Sequence, residues 1–106
     1  MAYQDQRVFD IIKESASKFI QEESNRASLI TVTNLMLSKD FKKVSIFVTV
    51  LPEDQENKVE DFLKRKRKDF KEYLKKNTRL NRIPFIDFEI DKGEKHRQRI
   101  DELSKE

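Results

Sequence analysis

Residues 29–51 read LITVTNLMLSKDFKKVSIFVTVL, two apolar runs separated by a short polar reversal. The first run, Leu29 to Leu37, is rich in β-branched residues, which suit a pleated, half-buried surface. The second places Val44, Ile46, Val48 and Val50 on one face by two-residue periodicity. Ser38-Lys39-Asp40 marks the reversal, so the pair reads as an antiparallel hairpin. Pro52 ends the second strand because it offers no N–H to a ladder, and Glu53 and Asp54 favour a helix start through its dipole.

A hairpin with one apolar face needs cover, and the flanking sequence supplies it. Upstream, Val8, Ile11/Ile12, Ala16 and Phe19/Ile20 recur at helical spacing, predicting an amphipathic helix from residue 6 to about 22 with Asp5 as N-cap, followed by a turn at Ser24-Asn25-Arg26. Downstream, Val59 and Phe62/Leu63 mark a helix, and Phe70 and Tyr73/Leu74 resume its stripe seven residues after Leu63. Lys66 and Arg67 occupy the turn between, so either one long helix crosses a polar gap or two helices meet at a bend near 64–69. Pro84 opens a last strand, Phe85 to Ile90, with Ile86, Phe88 and Ile90 inward, and Asp91-Lys92-Gly93 ends it. Residues 92–106 form a short tail expected to be helical around Ile100 and Leu103. The order is α-β-β-α-α-β. It predicts one two-layer α+β domain over residues 1–106, a three-stranded sheet covered by helices on one face.

A chain of 106 residues has room for one modest core, burying roughly 65% of its unfolded surface. Charged residues make up 41%, well above the usual quarter. No apolar run approaches the ~18 residues that span a bilayer, and the N-terminus lacks a signal-peptide pattern, so no membrane contact is expected and the cytoplasm is the default. The absence of cysteine removes disulfides, thiolate metal sites and Cys nucleophiles. His96 is the only histidine, in a polar context with nothing beside it to complete a metal site, and reads as solvent-exposed. The single glycine, Gly93, rules out a glycine-rich phosphate loop. No catalytic residue, cofactor, metal or small-molecule substrate is therefore expected, and a single domain with a charged exterior points to a monomer.

The remaining signal is charge placement. Between residues 64 and 82 stand ten basic residues, Lys64, Arg65, Lys66, Arg67, Lys68, Lys71, Lys75, Lys76, Arg79 and Arg82, against Asp69 and Glu72. The local net is +8, leaving −5 on the rest of the chain. A lysine-rich helix face can serve solubility, but solubility does not require concentration. Lys64, Lys68, Lys71, Lys75 and Lys76 recur three or four residues apart and share a stripe where like charges repel by a few tenths of a kcal/mol per pair. A polyanion relieves that repulsion and releases counterions, so the stripe reads as a nucleic-acid footprint.

Several motifs, in order, resemble the ribosome-binding factor A family. They begin at Arg7-Val8 and continue through Thr31-Val32-Thr33, the hairpin Leu37-Ser38-Lys39-Asp40-Phe41, and Val44 to Val50. Arg79-Leu80-Asn81-Arg82-Ile83-Pro84 before Phe85-Ile86-Asp87-Phe88 is similar to the family's approach to its last strand, and Arg99-Ile100-Asp101-Glu102-Leu103 to its closing segment. The resemblance implies a K-homology type II-like fold and non-catalytic binding to small-subunit ribosomal RNA, in pre-30S particles during late maturation. Ordinary K-homology domains hold a nucleic-acid backbone with a GxxG loop. This family carries an Ala-x-Gly bend instead, which aligns with Lys66-Arg67-Lys68 here. Those three residues suit ordinary helix, predicting a gentle bend or one helix nearly continuous from about Glu56 to Asn77. An adaptor for an acidic protein and a stress factor on finished subunits are the alternatives.

Overall fold

Strand β2 (Lys43–Leu51) is the centre of the molecule, and its alternation decides the rest. Val44, Ile46, Val48 and Val50 are buried while their neighbours are not, so the strand has one dry face. The computed structural model describes residues 3–24 and 27–93. In it β1 (Leu29–Leu37) pairs antiparallel with β2, and β3 (Phe85–Ile90) pairs parallel with β2 on the other side, giving the order β1-β2-β3. Helix α1 (Tyr3–Glu23) packs on β1, while α2 (Glu56–Arg65) and α3 (Arg67–Asn77) cover β2 and β3. The expected α-β-β-α-α-β order and two-layer arrangement are both present. Expectations for Asn25, Arg26, His96, Ile100 and Leu103 lie outside the described residues.

A parallel β2–β3 pair cannot be joined by a tight turn, and α2 with α3 forms the crossover it needs. The layer between helices and sheet holds Ile12, Ala16, Phe19 and Ile20 from α1, Leu63 from α2, Phe70 and Leu74 from α3, and Ile86 and Phe88 from β3. Phe70 is fully buried and joins three elements, its ring 5.1 Å from Phe19 and 5.8 Å from Phe88. These separations suit the tilted aromatic contacts that add to burial itself.

Strand β1 keeps its apolar face inward only by a bulge. Val32 pairs with Val48 and Asn34 with Phe47, so Thr33 is the extra residue. Strict alternation from buried Leu35 would turn Thr33 inward and Val32 outward; the bulge restores Val32 to the core face. The Thr33 hydroxyl donates to the Asp91 carboxylate, tying the bulge to the end of β3.

Two local expectations fail. The first helix begins at Tyr3, so Asp5 lies within it and is not its cap. The helix from Glu56 to Asn77 is not continuous: Lys66, at φ −92° and ψ 5°, separates α2 from α3. The backbone does not need glycine there, because the break is made at negative φ, where any residue is tolerated. The Lys66 amide is shared between the carbonyls of Phe62 (3.1 Å) and Leu63 (3.0 Å), a tightened last turn. Packing accounts for the break: in an unbroken helix Leu63 and Phe70, seven residues apart, would share one face with Lys66 and Arg67 between them, and the break keeps those two cations out of the core while both apolar residues enter it.

Candidate nucleic-acid interface

The break at Lys66 directs the basic run in two directions. Lys64, Arg65, Arg67, Lys68 and Lys71 line one cleft of ≈ 360 Å³, whose other wall is Pro84, Phe85 and Ile86 at the start of β3. Lys66 turns away: its ammonium lies 3.8 Å from Glu23 at the end of α1 and 3.5 Å from Asp69, over the Phe62 ring. Lys75, Lys76 and Arg79 are exposed farther along α3 and its exit, outside the cleft, with Lys75 3.7 Å from Glu72. Arg82 is exposed beside a neighbouring cleft. Half of the sequence-predicted basic residues therefore share one concave surface, and the other half do not.

The residues that sequence reasoning passed over are the cleft's apolar wall and its acid. Phe85 is 60% exposed, and the Arg67 guanidinium lies 5.7 Å from its ring centre. Its position was readable, since alternation in Phe85-Ile86-Asp87-Phe88 sets Phe85 opposite Ile86 and Phe88. An exposed aromatic among guanidinium and ammonium groups offers a base both a stacking surface and a charged rim.

Asp87 closes one corner. Its Oδ1 accepts from Lys64 Nζ at 3.0 Å, from Arg67 at 3.4 Å and from the Phe88 backbone N–H at 3.0 Å. Arg67 Nε also donates to the Lys64 carbonyl at 3.0 Å, locking the guanidinium across the helix break. The Phe85 amide donates to the Lys42 carbonyl just before β2 and the Asp91 amide to Val48 within it, so alternation leaves the Phe88 amide facing outward from the sheet edge, where Asp87 satisfies it. Arg65, Lys68 and Lys71 remain exposed at the rim.

Chemically the arrangement is suited to anions and flat apolar groups. Among the described residues no cluster of His, Asp or Glu is placed to hold a metal, and no helix is long and apolar enough to cross a membrane.

The architecture has close counterparts among solved proteins. The crystal structure of ribosome-binding factor A from Thermus thermophilus aligns with a TM-score of 0.71 and 24% identity, over 80% of this chain and 92% of that one. The same organism's factor, as fitted into a cryo-EM map of a 30S complex, aligns with a TM-score of 0.64 over 85% of this chain and 93% of that one. These likenesses show the fold to be K-homology-like. In sequence, ribosome-binding factor A of Fervidobacterium nodosum is 34% identical over 77 residues, a match spanning 72% of this chain and 62% of that protein's length. The Coxiella burnetii factor is 27% identical over 102 residues, 94% of this chain and 86% of that one. The ribosome-binding factor A family model matches residues 4–104, nearly the whole chain, and with α-β-β-α-α-β order and the basic cleft in place the chain belongs to the ribosome-binding factor A family.

Proposed function

We propose that this protein is a non-catalytic assembly factor that binds ribosomal RNA of the immature small subunit through the cleft between the α2–α3 corner and β3. The observation that carries the reading is the convergence of Lys64, Arg65, Arg67, Lys68 and Lys71 around the exposed Phe85. Such a site holds a phosphate backbone on its rim and leaves room for a base against the ring. Lys75, Lys76, Arg79 and Arg82 extend the positive field beyond the cleft and speed encounter with a polyanion. The related Thermus thermophilus factor fitted into a 30S complex supports the small subunit as the target. The protein acts in the cytoplasm as a single-domain monomer.

Sedimentation of lysate holding the protein at its native level tests this. It is expected in fractions holding small-subunit precursors, and less in those of mature subunits. Restriction to mature subunits would favour a stress factor, and absence from all ribosomal fractions would favour a protein adaptor.

A further inference from the structure

Pro84 belongs to two clefts. One side faces the basic groove; the other faces a second hollow of ≈ 320 Å³ lined by Val8, Leu37, Phe41, Leu80, Asn81 and Arg82, with Asp40 at its edge. The walls come from α1, the β1–β2 turn and the segment between α3 and β3, so the hollow belongs to the folded domain and not to any one loop.

Phe41 is held there against its own preference. Its φ is 60°, the left-handed region that a bulky residue rarely adopts. The turn over-determines that conformation: the Phe41 amide donates to the Ser38 carbonyl at 3.0 Å, and the Ser38 hydroxyl donates to Asp40 at 2.7 Å. The same hydroxyl accepts from the Lys42 amide at 3.1 Å and the Lys43 amide at 3.0 Å. The result is a fixed turn from which Phe41 lines the hollow together with Val8, Leu37, Leu80 and Pro84, with an exposed amide and an exposed guanidinium beside them.

We infer that this hollow receives one unpaired base of an RNA whose backbone lies in the adjoining basic groove. The inference rests on the RNA reading above and names the part of the ligand that this side of Pro84 takes. An aromatic ring stacks on any base face, the Arg82 guanidinium supplies a second flat surface, and the Asn81 amide presents one donor pair and one acceptor to a base edge. Arg82 brings a positive charge and Asp40 a negative one to the same hollow, so the phosphate of such a base is left to the adjoining basic groove. At ≈ 320 Å³ the hollow has room for a base.

The test compares two RNAs, a blunt hairpin and the same hairpin with a single-stranded extension, titrated against the parent, Phe41→Asn, Asn81→Ala and Lys68→Gln/Lys71→Gln proteins. Asn tolerates the left-handed region, so Phe41→Asn removes the ring and keeps the turn. The extension is expected to tighten parent binding about five- to hundredfold, the range of one stacked base. Phe41→Asn is expected to abolish most of that advantage, and Asn81→Ala part of it, with blunt-hairpin affinity and salt dependence unchanged. Lys68→Gln/Lys71→Gln should weaken both RNAs alike. Equal loss on both RNAs in Phe41→Asn, or full retention of the extension's advantage in both Phe41→Asn and Asn81→Ala, overturns the base pocket while leaving the groove. A parent protein that binds neither RNA overturns the groove and the pocket together.

Discussion

Lys64 and Asp87 stand 23 positions apart in the chain and 3.0 Å apart in space, a contact that engages one of the lysines lining the basic cleft. The side chain of Asp87 is 17% exposed and that of Lys64 36%, so the carboxylate is better shielded than its partner. Asp87 thus occupies a place where two cations and a backbone amide converge, and on the proposed reading it competes with a phosphate for those cations. Asp87→Asn is expected to raise affinity for structured RNA several-fold and to steepen the log–log salt slope by up to about 1.5 units, from two released cations. Glu89→Gln removes the same charge from the same face of β3 and serves as the control; equal effects in the two variants would reduce Asp87 to a long-range charge. Stability should change by under about 1 kcal/mol, as for other partly exposed pairs.

The exposed lysines of α3 and the buried valines of β2 should separate charge from stability. Lys68→Gln with Lys71→Gln should flatten the salt slope by about 1.5 units while shifting stability by less than about 0.5 kcal/mol, since both residues are exposed. Val48, 1% exposed at the centre of β2, should behave inversely. Val48→Ala is expected to cost about 1 to 3 kcal/mol and leave the slope of the folded fraction alone. Thermal melts paired with RNA titrations check both variants.

The break at Lys66 predicts an uneven response to proline. Asp61→Pro falls inside α2 and should cost about 3 kcal/mol or more. Arg67→Pro falls at the first residue of α3, where proline is well tolerated, although Lys66 must shift its ψ to accommodate the ring. Its cost should be about 1 to 2 kcal/mol. Equal destabilisation of the two variants in denaturant melts would contradict the break.

Hydrogen bonds from the Ser38 hydroxyl, and then from the Lys42 amide, hold the Asp40 carboxyl below its ordinary value of 3.8. A depressed carboxylate contributes stability that is fully present above its unfolded value and lost as pH falls through the folded one. Asp40→Ala should therefore be less stable than the parent at neutral pH, with the gap closing below pH 3.8. Parallel melts from pH 7 to 2.5 measure the gap; a gap independent of pH would show that ionisation of Asp40 adds nothing to the turn.

The elements were legible because their periodicities were unambiguous. The alternation from Val44 to Val50 marks a central strand, and the spacing of Ile12, Ala16, Phe19 and Ile20 marks a helix face. The helix break was not legible in propensities, since Lys66, Arg67 and Lys68 all accept helix. It is set by tertiary demand, because Lys66 and Arg67 would otherwise share the buried face of Leu63 and Phe70. The bulge at Thr33 was hidden for a related reason: β-branched residues on both faces of β1 mask which ones turn inward. Counting charge between residues 64 and 82 found the basic face but could not divide it. Whether a lysine meets solvent or a carboxylate depends on Glu23 and Asp87, which only the fold brings near.

Because β3 pairs in parallel with β2, the chain must pass through α2 and α3 before the sheet can close. The cleft has no partial form. A nascent chain stopped at Ile83 already carries all ten basic residues, yet lacks Pro84, Phe85 and Ile86 for a wall and Asp87 to hold the corner. The positive charge is thus complete in the chain before the surface that gathers it exists, and the cleft takes shape only when the last strand docks beside β2.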